Sequence, residues 1–139
     1  MKRLLNTSFM YAVLAMIGGV FYREFTKYND FTGVTMLRGV HGHLFMLGMI
    51  MFLVILLLNE KFDIVSSNKF NMFYIIYNIG VLLTSVMLTV HGVIEVLNVN
   101  ASKALLSSIS GIAGIGHILA GIGIVLLFFM LKESINEKE

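Results

Sequence analysis

Charged residues divide the chain into four long apolar stretches and are nearly absent inside them. The stretches cover about residues 4–22, 36–58, 73–97 and 108–131, each close to the ~20 residues that a helix needs to cross a hydrocarbon core of ~30 Å. With 58% hydrophobic and 13% charged residues, the chain is too apolar for water, and lipid is its natural solvent. A mean hydropathy of +0.88 points the same way. Four spans consume most of the 139 residues and leave only short connections and tails. The expected fold is therefore all-α, a four-transmembrane-helix bundle, with a single integral membrane domain over residues 1–139 and no soluble domain attached.

The first span follows Met1-Lys2-Arg3, a basic start shared with signal peptides. It lacks a small-x-small cleavage pattern and carries Tyr11 and Tyr22, so it reads as a retained helix. The fourth apolar segment follows Asn98-Val99-Asn100 and is longer than one crossing, which puts residues 101–107 at the membrane interface. Lys2, Arg3, Lys61, Lys69, Lys132 and Lys138 then fall on one side, and Arg23, Lys27, Arg38 and Lys103 on the other. The excess of basic residues on the first side predicts that both termini are cytoplasmic, in a bacterial cytoplasmic membrane.

The formal net charge is +2, and no run of Lys or Arg could track a phosphate backbone, so nucleic acid is not an expected partner. Cysteine is absent, which excludes disulfides, thiolate metal sites, iron–sulfur clusters and covalent heme attachment. Proline is absent too, so the sequence offers no cause for a broken helix of the transporter kind.

All four histidines lie in the apolar stretches. His41 and His43 sit just inside the start of the second span and His91 near the end of the third, so antiparallel neighbours bring them to one side. His117 reaches the same level if its span begins near Ser108. Ionisable groups in a membrane helix are costly and normally face a partner or a task. Glu95 is the one acidic residue inside a span. That scarcity disfavours a zinc or copper cluster, which recruits carboxylates or thiols. Neutral imidazoles in apolar surroundings instead suit heme b, with His41, His43, His91 and His117 as candidate axial ligands to iron.

His41 and His43 are two residues apart on a helix, so their side chains diverge by ~200° and cannot share one iron. They are expected to serve two sites flanking one helix. Arg38 lies one turn from His41, nearer the surface, where it is either a heme-propionate partner or a snorkelling interface anchor. Gly48 and Phe52 continue the His41 face, and Ser110, Gly114, His117 and Gly121 form a stripe on the fourth span. Tyr77, Gly80, Thr84, Met87 and His91 form another on the third. Such small residues admit either a macrocycle or a neighbouring helix. The ten methionines are apolar filler.

The segment Arg38-Gly39-Val40-His41-Gly42-His43-Leu44-Phe45-Met46-Leu47-Gly48 resembles the second helix of heme-copper oxidase and nitric oxide reductase catalytic subunits. The chain also resembles a family of short four-helix bacterial membrane proteins. The oxidase resemblance implies that His41 occupies the position of a low-spin heme ligand. The His41-x-His43 spacing is similar to a later oxidase helix that serves two hemes. Because those oxidases arrange their helices in three four-helix arcs, the resemblance implies a heme-copper-oxidase-like four-helix unit assembled as a homotrimer. His41 of one subunit and His43 of the next would then sandwich a heme. The adjacent histidine pair of the copper site and its cross-linked tyrosine are missing, so oxygen reduction at a heme-copper centre is not implied.

These observations predict a membrane heme b protein with bis-histidine ligation, acting in electron transfer or in sensing or handling a diatomic gas. Its expected partners are lipid, heme, further copies of itself, and quinol or other respiratory electron carriers. Two alternatives remain open: a metal-ion or proton transporter with a histidine-lined path, and an accessory subunit of a respiratory complex.

Overall fold

The computed structural model describes residues 1–137. Lys138, grouped above with the basic residues of one end, and Glu139 lie outside the described residues. Helix α1 is Lys2–Tyr28. The second span begins with α2, Leu37–His43, runs on through a π-helical segment, Leu44–Ile50, and finishes as α3, Met51–Phe62. A 3-10 turn, Ile64–Ser66, leads to α4, Phe70–Val96, and then to α5, Lys103–Asn136. α1, the continuous unit Leu37–Phe62, α4 and α5 are each long and apolar enough to cross a membrane. The chain is thus an all-α, four-span, multi-pass membrane protein, as the apolar pattern predicts.

The three inter-span connections each contain one residue in the left-handed region, namely Asp30 (φ 48°), Asp63 (φ 46°) and Asn98 (φ 50°). Asp and Asn are the non-glycine residues that tolerate this conformation most readily, so these positions explain where the helices stop. α5 opens with a side-chain cap, the Ser102 hydroxyl accepting the Leu105 N–H at 3.2 Å. Its 34 residues reach about 51 Å at the helical rise, well beyond a hydrocarbon core of ~30 Å. α5 is therefore longer than one straight crossing requires.

α1 packs along the whole second span, α4 packs on α2, and α5 packs along α4. The α4–α5 seam is built from small residues. Gly80 lies against Ala120 and Gly116, Gly116 against Thr84, and Gly123 against Tyr77. Without a hydrophobic drive between helices in lipid, such close backbone approach supplies the dispersion energy that holds a pair together. Tyr77, Gly80 and Thr84, which share a stripe with His91, are accordingly used for helix packing.

The half of the bundle that holds the N-terminus is closed and aromatic. Tyr11, Phe52, Phe73 and Tyr77 are fully buried; Tyr11 stacks on Phe52 with centroids 5.9 Å apart, and Tyr77 meets Phe52 edge-on at 5.9 Å. Hydrogen bonds tie α1 to α4 across this core. Tyr11 donates its hydroxyl proton to Asn78 Oδ1 at 2.7 Å, the Thr7 and Tyr74 hydroxyls pair, and Arg3 donates to Asn71 Oδ1 at 2.8 Å while lying over the Tyr74 ring. Lys69 with Glu133, and the Ser134 hydroxyl on the Phe62 carbonyl, fasten α5 at the same end. In the opposite half, α2 and α5 do not pack along each other's length among the described residues. His43 and His117 meet there.

Candidate functional site

His43 lies six residues into the second span, about 9 Å from its start at Leu37. Its Nδ1 lies 2.9 Å from the Gly39 carbonyl oxygen one turn back. His117 repeats the arrangement on α5, with Nδ1 2.9 Å from the Ala113 carbonyl oxygen. A carbonyl only accepts, so in both rings Nδ1 carries a proton, and Nε2 is the nitrogen left to meet another group. This is the tautomer a metal-ligating histidine adopts, with its second nitrogen oriented by a backbone carbonyl. The two rings meet edge to face between α2 and α5, with centroids 6.0 Å apart and planes at 84°.

The glycines around this pair differ from those of the α4–α5 seam. A Cβ placed on Gly42, Gly111, Gly114 or Gly121 would meet nothing within 4 Å, and one on Gly39 would meet only the His43 ring. Gly39 and Gly42 flank His43 on its helix, and Gly114 and Gly121 lie one turn either side of His117. The glycine stripe on α5 is therefore open, whereas Gly80, Gly116 and Gly123 are closed against neighbours. His117 itself is exposed, an imidazole open to the bilayer side at a depth where hydrocarbon solvates it poorly.

His41 points the other way, as the two-residue spacing requires. Its Cβ and Cγ are the nearest atoms, at 3.7 and 3.8 Å, to where a Cβ would sit on Gly19 of α1. Its Nδ1 is buried and has no hydrogen-bond partner. Gly48 and Phe52 share this α1-facing side, where Gly48 admits the Tyr11 ring and Phe52 stacks on it. His91 is separate again. Its Nε2 lies 3.7 Å from Glu95 Oε1, and Glu95 Oε2 accepts the Met36 N–H at 2.7 Å, tying the end of α4 to the entry of α2. Arg38 is exposed, and no side-chain partner of its guanidinium is found among the described residues.

The four histidines thus occupy one half of the bundle, yet they do not form one cluster. Among the described residues no three His, Asp or Glu side chains gather closely enough to hold a metal ion. The physical reason is angular, since His41 and His43 are fixed on different sides of α2 and His91 lies out at the rim. Spacing alone indicated the divergence of His41 and His43, but not that His43 meets His117 within the same chain. The Thr7–Tyr74 and Tyr11–Asn78 pairs were also missed. The signal was present in matched i, i+4 polar positions on the first and third spans, with Asn78 the one asparagine deep in an apolar stretch.

The chain falls in the class of four-span helical membrane proteins and carries, where α2 nears α5, a pair of imidazoles each held on a backbone carbonyl one turn back. Within that class the chain belongs to the DUF2871 family, described as proteins of unknown function, whose model matches residues 1–134. No curated protein and no solved structure matches the chain.

Proposed function

We propose that this chain is a membrane-embedded b-type heme protein in which His43 and His117 supply the two axial nitrogens. The observation carrying this reading is the ring pair itself, with Nδ1 of each ring held on an i−4 carbonyl and 6.0 Å between centroids. At this separation the two Nε2 atoms would be the pair to hold one iron. The donor chemistry fits as well, because two neutral imidazoles without a nearby carboxylate suit an iron whose charge the porphyrin already offsets. The unfilled space beside Gly42, Gly114 and Gly121 would let a flat apolar ring system lie against helix backbones. Covering His117 in this way would also remove an exposed imidazole from lipid.

When bound, the group supplies reversible one-electron chemistry. The protein's part would be to orient both rings through their Nδ1 contacts to Gly39 and Ala113, to exclude water with apolar helix faces, and to hold the iron from both helices. That closed coordination favours electron transfer over gas binding, with a quinol or another respiratory carrier as redox partner. Arg38, exposed one turn from His41 and about 140° around the helix from His43, would pair with a propionate only of a heme on the His41 side. The homotrimer implied by the oxidase-like segment is the competing arrangement, because there His43 would share its heme with His41 of a neighbouring copy rather than with His117. The location in a bacterial cytoplasmic membrane with cytoplasmic termini belongs to the same proposal.

A second reading, a proton pathway, draws on the Thr7–Tyr74 and Tyr11–Asn78 pairs. It predicts proton flux through proteoliposomes containing colourless protein. Purified protein decides between them. The heme reading predicts about one b-type heme per chain in a pyridine hemochrome assay, and a strongly anisotropic low-spin ferric EPR signal, because near-perpendicular ligand planes leave the iron d orbitals nearly degenerate. Protein that takes up no heme from hemin sinks it.

A further inference from the structure

The second span winds as a π-helix from Leu44 to Ile50, directly after His43 and with no proline to cause it. A π turn bonds each N–H to the carbonyl five residues back, one more than in an α-helix, and so holds an extra residue. In a chain at ~100° per residue, one residue more or fewer rotates everything on one side of the segment by about 100° relative to the other. The α3 side is fixed, since Phe52 and Ile55 are fully buried in the aromatic core. The azimuth of His43 is therefore set by whether Leu44–Ile50 keeps its wide winding.

Two side chains from other helices reach carbonyls inside this segment. The Tyr77 hydroxyl of α4 donates to Leu47 O at 2.8 Å, and the Ser8 hydroxyl of α1 donates to Met49 O at 2.9 Å. Tyr77 is fully buried and Ser8 nearly so. Carbonyls whose usual helical partner is displaced cannot turn to water in hydrocarbon and need a donor from protein. Gly48 lies between these two carbonyls and admits the Tyr11 ring, so the widened turn is also accommodated sterically.

We infer that Tyr77 and Ser8 are positioning residues, holding the π winding of Leu44–Ile50 and thereby turning His43 toward His117. This rests on the reading of those two histidines as heme ligands. With α winding, His43 would turn by the step between neighbours, toward the open side that Gly42 now occupies, and Gly42 would turn toward α1.

The test uses the full chain, which has no cysteine of its own, with Gly42→Cys carrying a nitroxide in detergent or bilayer. The label's accessibility to dissolved oxygen is expected to fall severalfold when Tyr77→Phe and Ser8→Ala are combined, and to stay at the starting value with Ser8→Thr, which keeps the hydroxyl. Unchanged accessibility in the folded double variant overturns the inference. If the double variant does not fold, Tyr77→Phe alone, which keeps the stack on Phe73, carries the same readout. In unlabelled protein titrated with hemin, the low-spin EPR signature is expected to be lost in the double variant and restored by Ser8→Thr with Tyr77 intact; a signature unaltered in the double variant overturns the inference. Should wild-type protein take no heme, the ligand reading falls, while the label still decides whether the two hydroxyls set the register.

Discussion

Adding a single methyl at Gly80 should cost the fold far more than adding one at Gly121. A Cβ there overlaps the Ala120 backbone nitrogen and lies 2.7 Å from Gly116 O and 3.0 Å from Ala120 Cα. Ordinary contact needs ~3.5 Å, so the two helices must move apart by roughly 1 Å. The obstructing atoms belong to a helix backbone and have no rotamer to escape into. Overpacking of this kind costs about 1–3 kcal/mol. Gly121→Ala is the matched control, because a methyl there meets nothing within 4 Å. Reversible unfolding by SDS in mixed micelles, without added heme, gives both values under one set of conditions. A Gly80→Ala protein within about 0.5 kcal/mol of wild type, or an equal loss for Gly121→Ala, would refute the account of the α4–α5 seam.

Filling the open positions should separate binding from stability. Gly114→Leu and Gly42→Leu are expected to reduce heme content per chain in a hemochrome assay while leaving apoprotein unfolding unchanged. Tyr11→Phe and Thr7→Val each remove one α1–α4 hydrogen bond and are expected to lower stability by about 0.6 kcal/mol, the average for such bonds between membrane helices, in the same SDS titration. Glu95→Ala removes the acceptor of the Met36 N–H, so hydrogen exchange at Met36 and the first turn of α2 should accelerate, with no change in any heme spectrum.

The spans were legible because hydrocarbon imposes a length and an absence of charge, and both are written directly in the sequence. Their ends were less so. The first span reads as residues 4–22, yet α1 continues to Tyr28 through Arg23, Glu24 and Lys27, since a helix persists outside lipid until something such as Asp30 at φ 48° ends it. The start of α5 at Lys103 likewise precedes the apolar run because Ser102 caps it. The opposed directions of His41 and His43 follow from helical spacing and could be read in advance. The meeting of His43 with His117 could not, because it depends on how far α5 protrudes, on the α4–α5 seam that fixes its height, and on a π winding with no marker residue. Glycine was ambiguous for the same reason: Gly116 and Gly114 look alike in sequence, and only the position of α4 makes one a packing contact and leaves the other open.

His43 and His117, on different helices of this chain, are proposed to bind one iron. Reduced and oxidised absorption spectra of wild type, His41→Ala, His43→Ala and His117→Ala, purified together and supplied with hemin, test it most directly. The account predicts a low-spin b-type spectrum in wild type that is lost or converted to high spin in His43→Ala and in His117→Ala, while His41→Ala keeps the signal from that pair. Low-spin spectra preserved in both the His43 and His117 variants would contradict it.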